Sequence, residues 1–298
     1  MAALLLLEGT GRQSEAFWRS RGTWLWHVLF VFWPVLFLVA IAAVFRDIKS
    51  GNRSVWPSTH GERLAVVFYM AIAIILGALP PIFLRHTLSV LPANLDVITQ
   101  MSGTSTKNFI MSILGTTVVL LLCSGFISVH VQLIGWLSEY QTQGEEPGSQ
   151  SLNEDVLRYL RLRSQLRRFL GFIAAISGTA IFHLGAFRNL LNQGLPAQQE
   201  LVPASFLMAY GIYFTGLLAC IYLPAHKTLT EVGELLANRL VRNSIGARAT
   251  WKEWSDEQQA VRVYLGLQGS ALQELQQGIG VLAPIIASIS ALSLGAGG

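Results

Sequence analysis

The sequence predicts an all-α, polytopic membrane protein with about five transmembrane helices, helical cytosolic extensions and a short C-terminal hydrophobic helix. Three observations carry this. Of 298 residues, 52% are apolar and only 13% are Asp, Glu, Lys or Arg, with a mean hydropathy of +0.48. A soluble domain carries roughly 25% charge. The apolar residues lie in long charge-free runs, and a helix needs about 20 such residues to cross a bilayer. None of the 17 acidic or 21 basic residues lies inside the five longest runs.

Span 1 is Trp24–Phe45, charge-free for 22 residues, and span 2 is Leu64–Leu84, charge-free for 21. Span 3 sits within the 31 uncharged residues Asn108–Ser138, centred on Phe109–Val129. Span 4 is Phe169–Phe187, with 19 residues, and span 5 lies within Leu201–His226, centred on Ser205–Leu223. The chain divides accordingly into an N-terminal segment (1–23), spans 1–3 (24–138), and a linker with a basic helix (139–168). Spans 4–5 (169–226), an amphipathic, Trp-containing region (227–270) and a hydrophobic tail (271–298) follow.

Residues 141–150 read as a linker. The Ser151/Glu154 capping-box pattern then starts a helix expected from about Leu152 through span 4 without a break. Its arginines Arg161, Arg163, Arg167 and Arg168 are candidates for anionic lipid headgroups. Pro224 is expected to end or kink span 5, with Thr228 and Glu231 capping a new amphipathic helix. A further helix is expected from Ser255 or Asp256 to about Leu267, ended by the Gly266–Gly269 break. The tail's Ile279–Leu294 is only 16 residues long. Its length predicts an end buried against spans or neighbouring subunits rather than a full sixth crossing.

Small residues spaced three, four or seven apart let helix backbones approach closely. Gly171, Ala175, Gly178 and Gly185 mark such a face on span 4, Ala209 and Gly216 on span 5, and Ala283, Ala287 and Ala291 on the tail. Membrane lipids, further copies of the chain and a cytosolic protein are the expected partners, and nucleic acid is not one.

Lysine and arginine gather on the cytoplasmic side of bacterial and eukaryotic membrane proteins. The N-terminal side holds six of them and the opposite side fifteen. The expected orientation has the N-terminus outside, with 139–168 and 227–270 in the cytoplasm of a cell-membrane protein.

The lack of intramembrane charge argues against proton pumps and voltage sensors, which place ionisable groups in the bilayer. No catalytic motif stands out. Span 3 carries a polar stripe, Thr117, Ser124, Ser128 and Gln132, that suits a pore lining. The leading function is therefore a channel-like or membrane-effector protein regulated by its cytosolic helices. His27, His86, His130, His183 and His226 lie in or beside spans, and facing histidines can hold haem or a metal. Neither is expected here, but a redox protein is the alternative, and a membrane scaffold is another.

Overall fold

The computed structural model describes residues 21–49, 60–89, 104–142, 149–192, 202–245 and 250–268. Within them the chain is helical apart from the residues that flank the helix ends, and no strand occurs among them. The helices are α1 (Arg21–Lys49), α2 (His60–Ser89), α3 (Thr104–Thr142), α4 (Ser149–Asn192), α5 (Ala204–Ser244) and α6 (Trp251–Leu265). The tail, with Ala283, Ala287 and Ala291, lies outside the described residues.

Stretches of α1, α3, α4 and α5 are long and apolar enough to cross a membrane: Leu25–Arg46, Ile110–Tyr140, Leu152–Asn189 and Ala204–Ser244. Helix α2 has 30 residues, and the side chains described along it include the apolar stretch Arg63–Ile75. Large apolar side chains also cover the outer faces of α1 and α2. On α1, Trp26, Phe30, Trp33, Phe37, Ala40 and Val44 are buried at alternating spacings of four and three, the period of one helix face. Phe32, Val35, Leu38 and Val39 on the remaining faces are exposed, as are Leu64, Val67, Phe68 and Ile75 on α2. An apolar surface this extensive has no place in water. The chain is a helical integral membrane protein.

Helix α3 is apolar almost all round, the pattern of a helix surrounded by others. It packs against α1, α2, α4 and α5, and residues 122–129 are buried without interruption. Helix α1 leans on α4, and α4 on α5. On α2, Val66 joins Ile127 and Val131 of α3 in a smaller cluster.

Three helices outrun the membrane. Helix α4 has 44 residues, α5 has 41 and α3 has 39. At 1.5 Å per residue they are about 66, 62 and 58 Å long, against a hydrocarbon core of about 30 Å. Their surplus lies at one end, where α6 joins them to form a helical head. The expectation of one helix running through the arginines into span 4 is met, and that helix extends on to Asn192.

Two local expectations are corrected. Pro224 neither ends α5 nor separates it from a second helix. Tyr222, Ala225, His226, Leu229 and Val232 stay buried along one continuous face, and that packing outweighs the missing N–H. Thr228 is not a cap, since its hydroxyl donates to the Pro224 carbonyl one turn back at 3.0 Å. Helix α6 begins at Trp251, four residues before Ser255. Its cap is Thr250, whose hydroxyl accepts from the Glu253 amide at 3.3 Å while the Glu253 carboxylate accepts from the Thr250 amide at 2.8 Å.

Candidate functional site

The head is where polar side chains converge. Its floor is apolar: Trp136 from α3, Leu152, Val156, Tyr159, Leu162 and Leu166 from α4, and Leu229, Val232, Leu236 and Ala237 from α5. Leu265 of α6 is fully buried over it. Around this floor the helices are tied by polar contacts between residues far apart in sequence. The Tyr140 hydroxyl donates to Asp155 at 2.6 Å, joining α3 to α4. The Arg239 guanidinium lies 3.8 Å from the Tyr140 ring centre, which brings in α5. Arg158 covers the Trp136 ring at 4.7 Å. Cations over aromatic faces gain from the ring quadrupole.

Helix α6 is fastened at its C-terminal end. Gly266 takes φ +71°, the left-handed cap conformation that glycine adopts without strain. Its own amide turns back to the Val263 carbonyl at 2.9 Å. Arg163 then reaches from α4 to donate to the carbonyls of Leu265 and Gly266, the latter at 2.6 Å. A cation at a helix C-terminus meets both orphan carbonyls and the negative end of the helix dipole. Beside it, Gly233 leaves room for Tyr159 and Leu267; a Cβ there would stand 2.6 Å from the Tyr159 hydroxyl oxygen. Farther along, Arg262 pairs with Glu234 at 2.6 Å and Gln258 donates to Asn238 at 3.3 Å.

The basic residues of α4 thus divide. Arg163 is turned inward to α6, Arg161 and Arg167 are exposed, and Arg168 is half-buried. The sequence marks the cluster but not this division, because backbone carbonyls a hundred residues away leave no signature.

On α3, Ser124 and Ser128 are buried in the bundle, Gln132 is half-buried and Thr117 is exposed. The Ser124 hydroxyl donates to the Leu121 carbonyl at 2.6 Å, and that of Thr117 to Ile113 at 2.8 Å. The two hydroxyls therefore bond their own helix.

His27, His130, His183 and His226 lie on α1, α3, α4 and α5 in turn. His183 is buried against three aromatic rings of α1, with centroids 5.7 Å from Trp26, 6.2 Å from Phe30 and 5.2 Å from Trp33. His27 lies edge-on to Trp26 at 4.8 Å, and His226 is buried beside Tyr222 at 5.3 Å. His130 is half-buried, and the side chain of His86 lies outside the described residues. Among the described residues no group of three or more His, Cys, Asp or Glu side chains is placed to hold a metal ion.

The small-residue faces divide as well. Gly178 and Gly185 are buried, whereas Gly171, Ala175, Ala209 and Gly216 are exposed. A Cβ at Gly171 or Gly216 would meet nothing within 4 Å.

At the end opposite the head, Val202 ties α5 to α4. Its carbonyl accepts from Arg188 Nε at 2.9 Å and Asn192 Nδ2 at 3.0 Å. The chain matches no protein-family model, no curated protein and no solved structure.

Proposed function

We propose that the protein is a non-enzymatic membrane effector whose cytosolic head sets the arrangement of its transmembrane helices. One observation carries the reading: Arg163 fastens α6 to α4 in the head, and α4 continues unbroken into the bilayer. A partner or lipid that engages α6 therefore acts on a helix that also contacts α1, α3 and α5 in the membrane. The excess of basic residues on the head side of the spans supports a cytoplasmic head. Arg161 and Arg167, exposed just before the apolar run of α4, are the residues offered to anionic headgroups. The effector form is favoured over a conducting one, because Ser124 and Ser128 are enclosed by other helices.

The experiment is a distance measurement between spin labels at Val35 on α1 and Ile212 on α5, both exposed, in a Cys220→Ser background in lipid nanodiscs. Arg163→Ala is expected to shift or broaden the distance distribution. An unchanged distribution, together with a released α6, would show that head and spans are uncoupled. Ion flux into proteoliposomes above the protein-free level would favour the channel-like form instead.

A further inference from the structure

Helix α4 keeps one uncovered strip where it passes from the head into the membrane. At about 100° per residue, Leu157, Arg161, Ser164, Arg168, Gly171 and Ala175 fall within about 80° of one another around the helix. Arg168 is half-buried and the others are exposed. The strip crosses the membrane boundary itself. Arg168 is the last charged residue before the apolar run, and Gly171 and Ala175 lie inside that run. A Cβ at Gly171 would meet nothing within 4 Å, so an open notch lies directly below Arg168. Neighbouring arginines of α4 are engaged elsewhere: Arg158 covers Trp136, and Arg163 holds the end of α6 from another face. Among the described residues, Arg161 and Ser164 make no side-chain hydrogen bond, ion pair or ring contact.

We propose that this strip holds one phospholipid with a phosphorylated headgroup, its two phosphates standing one above the other along α4. Charge-assisted bonds from guanidinium to phosphate oxygen are among the strongest that a side chain makes. Ser164 and Arg168 donate to the phosphodiester at the membrane surface, and the glycerol enters the notch at Gly171. Arg161 stands seven residues before Arg168, about 10 Å farther from the bilayer along the axis. That exceeds the roughly 5–7 Å of one interfacial layer, so Arg161 meets a group that projects beyond ordinary headgroups. A second phosphate on the headgroup projects in this way. The two phosphates of a cardiolipin lie side by side in the membrane plane and do not span both levels. Charge selects an anionic lipid over a zwitterionic one, and the notch inside the apolar run selects a lipid over a free phosphate compound. The inference narrows the headgroup contact of the effector reading, on which it rests, to one lipid class on one face of α4.

The test is native mass spectrometry of the full chain released from phosphatidylcholine nanodiscs that contain a phosphatidylinositol monophosphate or cardiolipin at equal mole fraction. The expected result is one retained phosphatidylinositol monophosphate, held about fivefold more tightly than cardiolipin, the weight of one arginine near an anionic surface. Arg161→Gln should weaken it by the same factor and erase the preference. Gly171→Leu, which fills the notch without changing charge, should weaken both lipids. Arg46→Gln removes an exposed arginine at the head-side end of the apolar run of α1 and should change neither. Equal retention of the two lipids by the unaltered chain, or equal losses in Arg161→Gln and Arg46→Gln, would overturn the proposal: the head would then attract anionic lipid by charge alone. Unchanged binding in Gly171→Leu would also overturn it, because the lipid would not be seated on this strip. Each of these outcomes strikes the lipid site alone. The distance between α1 and α5 answers to Arg163→Ala, so the effector reading stands or falls separately.

Discussion

Gly125 of α3 lies flat against the Phe169 ring of α4, so close that a Cβ at 125 would stand 2.7 Å from the ring's Cε2. The contact falls where the apolar run of α4 begins, below its arginines. Here the two helices pass from head to membrane packed on one another. Gly125→Leu is expected to force them apart. Overpacking of this kind costs about 1–3 kcal/mol, read as a lowered Tm in detergent. A wild-type Tm would show that the Phe169 ring can swing away freely.

Gly266→Ala is expected to loosen α6 twice over. Alanine is strained at φ +71°, by roughly 1–2 kcal/mol, and its methyl would occupy the place of the Arg163 guanidinium. Amide exchange in α6 should accelerate while the apolar parts of α1 and α3 remain protected. Arg163→Lys should show the same pattern more weakly, since an ammonium cannot bridge two carbonyls as a planar fork does. Equal protection of α6 in all three proteins would remove the clasp from the account of the head.

The start of α6 responds to pH. Hydrogen bonds from the Thr250 backbone and hydroxyl hold the Glu253 carboxyl below its ordinary value. A depressed carboxyl stabilises the folded form above its unfolded pKa, and that contribution is lost as pH falls through the folded value. The Thr250 and Glu253 amide resonances are expected to titrate together, with a midpoint below the usual Glu range, as α6 frays from Trp251. A midpoint at or above that range would mean the box does not hold in solution.

Orientation is open to labelling. A cysteine at Gln259, exposed on α6, is expected to resist impermeant thiol reagents in intact cells and to react after permeabilisation. One at position 195, between α4 and α5, should react without it. The reverse pattern would invert the molecule.

Gly178→Leu is expected to disrupt the bundle, because Gly178 is buried in α4, whereas half-buried Leu184→Ala should matter less. Folding yield in detergent and thermal stability read the difference. Wild-type behaviour of Gly178→Leu would mean that the position tolerates bulk.

Much of this architecture is legible in residue order. Charge-free runs place the helices, and the absence of a breaker between Ser151 and Phe187 joins the basic helix to span 4. What misleads is local punctuation. Pro224 reads as a stop because a proline removes one bond, but a stop also needs the buried face to end, and Tyr222 through Val232 continue it. The Thr250/Glu253 box is a plain start signal beside which Ser255 is the weaker choice. Arg163 is illegible in a different way. It is one of six arginines of one helix, and only the fold brings α6's carbonyls to it, 102 and 103 positions along the chain. The span-4 glycines show the same limit: spacing marks a face, but which part of it is covered depends on where neighbouring helices cross.

The two arginine clasps of α4 also act as a gauge. Arg163 is held in the head and Arg188 at the far end by the Val202 carbonyl. They are separated by about 38 Å along the helix axis, a little more than an average hydrocarbon core of about 30 Å. In a membrane of ordinary thickness both guanidiniums stay among headgroups. In a markedly thicker one, an upright α4 would draw one of them into hydrocarbon, and tilting would only worsen the match. Arg168, the last arginine before the apolar run, stands only about 30 Å from Arg188 along the axis, so reconstitution into lipids of increasing acyl length should lower stability as soon as the core outgrows that shorter span.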